Sequence, residues 1–502
     1  MPMRLHSKIK KGINEMKTMR KIATLLLALV MVFSLSLTAF ADTDPDSNNT
    51  VATATITVND NREYEVYQIF TGELHEGKLS NVKWGQNVKL PEGAVVGGPV
   101  TESLLDQLEG NAGESVVIDR IAPNVNFDSD PIGTVKSGEP LIVEVGYYLL
   151  KDVTTLGDGE EYSRHIIKIV GDITVTPKVG TVSSNKKVKD RNDTTNNTSI
   201  WQDGADYDIG DDVPFRLRGV VSTTYDYYKT YQFIFHDTLS DGLTFNNDVK
   251  VYDGEDEISD AYYEVVTDCE DGCTFHVVLE NLKDIATVAA GATIAVTYTA
   301  KLDDDAAIGS AGNPNSMYVE YSNDPSDEDS TGKTPTNIVK IFTYQLIVNK
   351  VDEAGAALEG AEFELYKKIT ASSGAGNHEE LVDGCEIVDN VFTWKGLDDG
   401  TYILRETVTP DGYNTIDPIE FVVSAEHDTD SADPQLISLN GGVLGTGVVA
   451  EGKIETDVEN RHGTTLPTTG GMGTTLIYAA GGILVLAAVV LLITKKRMAD
   501  AK

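Results

Sequence analysis

The sequence predicts an all-β chain built as three tandem β-sandwiches, and three observations predict it. Short runs alternate β-branched or aromatic residues with others, as in Thr53-Ala54-Thr55-Ile56-Thr57-Val58 and Thr293-Ile294-Ala295-Val296-Thr297-Tyr298. Clusters of Gly, Asn and Asp separate these runs. No long helical period competes with them, so helix is expected only in short pieces such as one between Leu104 and Leu108. The third observation is length: 502 residues correspond to about three domains at roughly 150 residues each.

Composition narrows the class further. Forty Lys and Arg against 79 Asp and Glu give a formal charge of −39, which argues against nucleic acid, since phosphate backbones are held by basic patches. A hydrophobic fraction of 41% is enough for packed cores. Three Cys cannot make a disulfide framework in so long a chain, so covalent reinforcement would need other chemistry.

Taken in order, residues 1–41 read as a secretory signal peptide. Positive charge at 16–21 precedes an apolar run at 22–37 and the small-x-small site Ala39-Phe40-Ala41. Sandwich domains are expected over 42–178, 179–340 and 341–463, with composition shifts near Lys178 and Lys340 and a polar stretch at 321–336 before the second boundary. Residues 191–198, rich in Asn, Asp and Thr, read as a solvated loop or insertion. Residues 464–502 form a tail of three parts: Leu466-Pro467-Thr468-Thr469-Gly470, an uncharged apolar run at 476–493, and Lys495-Lys496-Arg497. The run is just long enough to cross a hydrocarbon core, and the basic residues after it keep that end cytoplasmic.

Pentapeptide, apolar span and basic end together resemble the LPXTG cell-wall sorting signal of Gram-positive surface proteins. In that family a sortase cysteine cuts the bond equivalent to Thr469–Gly470 and passes the threonyl group to an amine. The span at 476–493 would then hold the membrane only transiently.

Three further segments of residues carry the resemblance inward. Tyr344-Gln345-Leu346-Ile347-Val348-Asn349-Lys350, Gly360-Ala361-Glu362-Phe363-Glu364-Leu365-Tyr366 and Tyr402-Ile403-Leu404-Arg405-Glu406-Thr407 resemble a collagen-adhesin B-type (CnaB-like), immunoglobulin-like sandwich. Phe235-His236-Asp237-Thr238-Leu239 and Gly312-Asn313-Pro314-Asn315 resemble the fimbrial isopeptide-forming domain of backbone pilins. Tyr64-Glu65-Val66-Tyr67-Gln68-Ile69-Phe70 and Ile173-Thr174-Val175-Thr176-Pro177-Lys178 complete the order of a sortase-assembled major pilin. Nearly the whole mature chain is covered.

Strand alternation places Leu346, Val348 and Lys350 on one face, and likewise Tyr402, Leu404 and Glu406. A lysine driven into a core loses the stability of its charge and becomes an amine nucleophile, while a carboxyl there tends to stay protonated. The bland alternative is a salt bridge between Lys350 and Glu406. The resemblance implies instead that Lys350 joins Asn460 in an isopeptide bond with Glu406 assisting. In the middle domain Val182, Ser184, Lys186 and Val188 share a face, with Lys187 pointing outward. There the resemblance implies Lys186 as nucleophile, Asp237 as acid and Asn315 as acceptor, with Asn313 the alternative. No matching triple is evident in the first domain. Lys178, after Thr176-Pro177 where the family usually has Tyr-Pro, is implied as the amine that receives Thr469 of another subunit.

Other signals were weighed against these. Ser183-x-x-Lys186 lacks the helix start and companion motifs of penicillin-interacting enzymes. His236 beside Asp237 looks like a dyad, but neighbouring strand residues face opposite ways. Asp303-Asp304-Asp305 and the acidic run at 324–329 read as solvated turns rather than calcium loops. Cys269 and Cys273 flank a tight turn and could pair in an oxidising exterior. No metal, cofactor or enzyme activity is expected. The function expected is the structural major subunit of a covalent surface pilus. Its implied partners are a pilus-specific sortase, the housekeeping sortase with peptidoglycan, further copies of itself, and tip and basal minor pilins, with a host surface ligand left open. A wall-anchored monomeric adhesin is the alternative, and a wall-anchored hydrolase a distant third. Removing 1–41 and everything from Gly470 on leaves 29 basic and 77 acidic residues, a charge of −48, so these subunits should repel one another.

Overall fold

The computed structural model describes residues 52–499 except 103, 106–123, 371–375 and 464–472. The predicted leader, the pentapeptide 466–470 and most of the short helix at 104–108 lie outside these. Strand is the dominant regular structure of the described chain, as the alternating runs require. In Thr53–Val58, for example, Ala54, Ile56 and Val58 turn inward while the threonines between them stay at the surface.

Three sandwich bodies follow one another. In the first, Leu141–Glu144, Thr53–Val58 and Ile173–Val175 form one sheet, against which packs a second of Lys78–Trp84, Glu63–His75, Gly146–Asp152 and Arg164–Ile169. Ile56, Tyr64, Val66, Val135, Tyr148 and Leu150 fill the space between. The middle body has a sheet ordered Gly204–Asp206, Asn337–Phe342, Asn313–Ser322, Phe233–Leu239, Phe275–Leu279 and Glu264–Val266. Its partner sheet runs Asp256–Ile258, Lys250–Asp253, Thr293–Leu302, Asp212–Val220 and Ser183–Val188. Phe215, Leu217, Phe233, Phe235, Phe275 and Val296 are fully buried between them. In the last body a sheet of Glu386–Val388, Val391–Leu397, Tyr344–Asp352 and Lys453–Asn460 covers one of His378–Val382, Glu362–Ile369, Gly400–Val408, Ile419–His427 and Leu436–Asn440. Here the first strand, Tyr344–Asp352, lies beside and parallel to the last, Lys453–Asn460.

The bodies are joined by polar contacts that the sequence does not advertise. The loop before Arg164 sends the fully buried Glu161 into the middle body, where it accepts hydrogen bonds from Ser222 (2.7 Å), Tyr231 (2.7 Å) and Thr224. Gly180 makes this fit, because a Cβ there would stand 2.1 Å from Glu161 Oε2. Residues 191–198 differ from the solvated loop expected of them. They form a small hairpin that grips the last body: Thr194 Oγ1 donates to Lys368 O (2.8 Å), Asn192 Nδ2 to Asp399 Oδ1 (2.7 Å), and Thr370 N to Asp193 O (3.0 Å). Polar residues were read as seeking water, but here they satisfy backbone groups of a neighbouring domain. Beneath them Lys367 is buried among Asp193, Asp208 and Asp398.

The apolar tail is a helix, Gly473–Ala499, whose large side chains from Tyr478 to Leu492 are exposed. Among the described residues no helix is long and apolar enough to cross a membrane. For this helix the described side chains cover 478–492, and the apolar run 476–493 extends beyond them at both ends.

Candidate lysine, acid and asparagine sites

In the middle body the strand Ser183–Val188 carries Lys186 at its inward face, opposite Leu217, while Lys187 turns outward to pair with Asp203 (2.6 Å). Phe233–Leu239 and Asn313–Ser322, neighbours in the facing sheet, bring in Asp237 and Asn315, each wholly buried. Asp237 stands opposite Met317, so it and Asn315 are diagonal neighbours on one face. Lys186 Nζ donates to Asp237 Oδ2 and, at 3.0 Å, to the hydroxyl of Tyr298. That hydroxyl donates to Asp237 Oδ1 (3.1 Å) and accepts from Asn315 Nδ2 (2.7 Å). One oxygen therefore stands between the lysine amine and the asparagine amide. Burial lowers the Lys186 ammonium to about 8 against the opposing pull of Asp237, and burial raises the Asp237 carboxyl against the pull of Lys186. Both shifts favour moving the proton from amine to carboxyl, which leaves a nucleophile beside an acid. Asn313, the alternative acceptor, is occupied elsewhere: its Oδ1 accepts from Ala307 N (2.8 Å) and its Nδ2 donates to Ala307 O and Ile341 O.

Tyr298 was missed by the sequence reading. The alternating run from Thr293 to Tyr298 had been recognised, and the structure extends this strand to Leu302; the inward alternation of Ile294, Val296, Tyr298 and Ala300 was the signal that could have found it.

In the last body the arrangement differs. Lys350 and Asn460 lie on the same sheet, on parallel neighbouring strands where Lys350 pairs with Val458 and Asp352 with Asn460. Both residues are buried. Glu406 comes from the facing sheet. Asn460 Nδ2 donates to Glu406 Oε1 (2.8 Å), while Thr409 Oγ1 (3.2 Å) and Ile416 N (3.1 Å) donate to Oε2. Lys350 Nζ donates to Val458 O (2.9 Å) and Val351 O (3.0 Å) rather than to Glu406. Burial lowers the Lys350 ammonium, with Glu406 opposing. The salt bridge weighed as the bland alternative does not form. Glu406 also differs from the deeply buried acid expected of it: the strand Gly400–Val408 is leaving the core by then, so Glu406 is half-buried and surrounded by donors.

The two sites share one anomaly. Asn315 Oδ1 and Asn460 Oδ1 are buried with no hydrogen-bond partner. A buried carbonyl left unpaired costs roughly 1–3 kcal/mol, so finding two at corresponding places is a chemical clue.

Lys178 is exposed just after Ile173–Val175, and Asn59 Nδ2 donates to Thr176 Oγ1 (3.0 Å) beside it. Thr469 lies outside the described residues.

Residues 209–325 match the family model described as Gram-positive pilin backbone subunit 2, Cna-B-like domain. The chain carries a Gram-positive pilin-backbone domain. Residues 344–434 match a second family, the prealbumin-like fold domain, so the pilin-backbone domain is followed by a second family sandwich. The fold of the whole is similar to that of the T6 backbone pilin of serotype M6 Streptococcus pyogenes, described as a modular three-domain structure. The identity is 18%, the match covers 83% of this chain and 100% of that one, and the TM-score is 0.52. Matches also include the major pilin SpaD of Corynebacterium diphtheriae (17% identity, 82% and 98% covered, TM-score 0.46) and the major pilin subunit BcpA of Bacillus cereus (13%, 82% and 99%, 0.41). No curated protein matches the chain.

Proposed function

We propose that this chain is the structural major subunit of a covalent pilus on a Gram-positive cell surface, hardened by two self-made isopeptide bonds. The observation that carries the reading is the repeated grouping of buried lysine, acid and unpaired asparagine carbonyl in two successive domains. In the middle domain Lys186 Nζ gives its proton to Asp237, to which it already donates. In the last domain Lys350 Nζ first turns from Val458 O and Val351 O toward Glu406. The freed amine then attacks the asparagine Cγ. The Nζ–Cγ bond forms, a second Nζ proton passes by way of the acid to Nδ2, the Cγ–Nδ2 bond breaks, and ammonia leaves. Confining the groups side by side in one buried site can contribute roughly 7–11 kcal/mol, enough to make an unactivated amide react.

Polymerisation would follow from the sorting signal. The sortase-bound acyl group of Thr469 passes to the Lys178 amine of the next subunit, and because the donor and acceptor patches differ, the product is an open filament. The −48 charge of the mature part keeps subunits apart until an enzyme joins them. Pilus-specific and housekeeping sortases, peptidoglycan and minor pilins are the partners this scheme needs.

Two measurements test it. The intact mass of the purified protein should fall short of the sequence mass by about 17 Da for each bond, one ammonia apiece. Lys178→Ala should abolish the high-mass ladder in cell-wall extracts while monomer remains anchored. An unshortened mass removes the bonds, and an unchanged ladder removes Lys178; a wall-anchored monomer with no ladder in the parent would favour the adhesin reading.

A further inference from the structure

The outer face of the middle domain holds a second cluster that the scaffold role does not use. His236 and His276 face each other directly across the antiparallel strands Phe233–Leu239 and Phe275–Leu279, with ring centroids 4.1 Å apart. The turn leading into the second strand adds Asp271 and Cys273. Asp271 Oδ2 lies 2.9 Å from His236 Nδ1 and 3.1 Å from His276 Nε2, and Cys273 Sγ lies 3.3 Å from Asp271 Oδ2 and 3.9 Å from His236 Nδ1. One ligand atom from each of the four lies within 4.8 Å of every other.

We propose that His236, Asp271, Cys273 and His276 form a binding site for one zinc-class divalent cation. Four ligands at bond lengths of about 2.0–2.3 Å around a tetrahedral ion stand roughly 3.3–3.6 Å apart. The four separations just given need change by only a few tenths of an ångström, and the remaining two, within 4.8 Å, close by rotation of the His276 ring and the Cys273 side chain. The donor set of two imidazoles, a thiolate and a carboxylate is borderline-soft, which suits zinc and its late first-row neighbours rather than calcium or magnesium.

An independent observation concerns the surroundings. The far nitrogen of His236, Nε2, faces Glu320 Oε2 at 3.3 Å, off the hydrogen-bond line, so a small turn of the ring makes the pair. A carboxylate behind a ligating histidine fixes its tautomer and raises its basicity, and is a regular companion of metal-bound imidazole. Tyr318 stacks on the other side of His236, with centroids 4.4 Å apart and rings 10° from parallel, and holds the imidazole in place. Cys269 does not compete for Cys273: both are free thiols, and Cys269 Sγ donates to Val266 O (3.5 Å). The pairing that the sequence left open for these two cysteines is therefore not made here.

The consequence is mechanical. His236 is next in sequence to Asp237, so the cation would pin to the turn, from outside, the strand that presents the acid of the middle site from inside.

The test uses the reduced, metal-depleted protein titrated with Zn²⁺ and, as a spectroscopic probe, Co²⁺. One equivalent should bind per chain and raise the Tm, and the cobalt form should show tetrahedral d–d absorption with a thiolate-to-cobalt charge-transfer band. Cys273→Ser, on the half-exposed turn, should remove that band while leaving d–d absorption. His276→Ala should weaken binding more than tenfold, and Glu320→Gln roughly tenfold without changing the ligand count. Absence of stoichiometric binding, equal affinity in the parent and all three variants, or a Cys269–Cys273 disulfide in the secreted protein would overturn the proposal.

Discussion

Replacing Glu406 by Ala tests the proposed Lys350–Asn460 bond and what it would contribute to the last domain. The substitution removes the group that touches Asn460 Nδ2, so Lys350 and Asn460 should stay unjoined and the protein should regain one ammonia, about 17 Da. The bond closes a loop of about 110 residues, for which the chain-entropy treatment used for disulfides gives about 5 kcal/mol. A domain near this size loses about 4 °C of Tm per kcal/mol, so the bond alone accounts for about 20 °C. Loss of the hydrogen bonds from Thr409 and Ile416 adds on the order of 1–3 kcal/mol. Lys350→Met separates the two effects, since it removes the nucleophile but leaves those hydrogen bonds. The assay is intact mass paired with calorimetry on the parent and both variants. Lys350→Met should fall by the bond term and Glu406→Ala by more. An alanine variant still short by two ammonia takes Glu406 out of the chemistry. One that regains the ammonia yet melts with the parent refutes the entropic argument.

Three further outcomes follow from other buried charges. Asp237→Ala should block the middle bond and strand the Lys186 amine in an apolar core, whereas Lys186→Met with Asp237→Leu, judged by Tm, should recover much of the stability, since an uncompensated buried charge costs about 3–5 kcal/mol. Lys367→Met leaves the half-buried Asp208 and the buried Asp398 without their cation and should loosen the grip of residues 191–198, read as faster proteolysis there; unchanged cleavage would refute the latch. Burial raises the Glu161 carboxyl above its ordinary 4.5, so its contribution is full below about 4.5 and is lost as pH rises through the raised folded value. Glu161→Gln escapes that loss, and its Tm relative to the parent should climb between pH 4.5 and 7; a pH-independent difference would contradict it.

Alternation alone placed Lys186 and Lys350 on inward faces, because a strand's period of two leaves no choice once its apolar neighbours are buried. What it could not supply was depth along the strand, hence Glu406 half-buried rather than enclosed. Nor could it supply contacts made across domains. Thr194 meets Lys368 at a separation of 174 residues, and Glu161 meets Tyr231 at 70; nothing local distinguishes these polar side chains from solvated ones. Tyr298 was hidden for the opposite reason. An aromatic on a buried face satisfies the packing pattern by itself, and only the fold reveals that its hydroxyl links lysine, acid and asparagine.

The two proposed bonds would change the route of tension through the proposed filament. Force enters the last domain at the start of Tyr344–Asp352 and leaves at the end of the parallel strand Lys453–Asn460, so unbonded strands would be sheared along their shared register. A Lys350–Asn460 bond carries that force from one strand directly to the other and removes residues 351–459 from its path. In the middle domain a Lys186–Asn315 bond joins one sheet to the other and removes 187–314, leaving Asn337–Phe342 to transmit the load onward. Single-molecule pulling between the termini measures this. At about 3.5 Å per extended residue, Lys350→Ala should release about 380 Å of chain absent from the parent trace, and Lys186→Ala about 450 Å. The two lengths should add in the double variant. A parent that releases either length under load carries no bond in that domain, and the tensile role would then rest on hydrogen bonds alone.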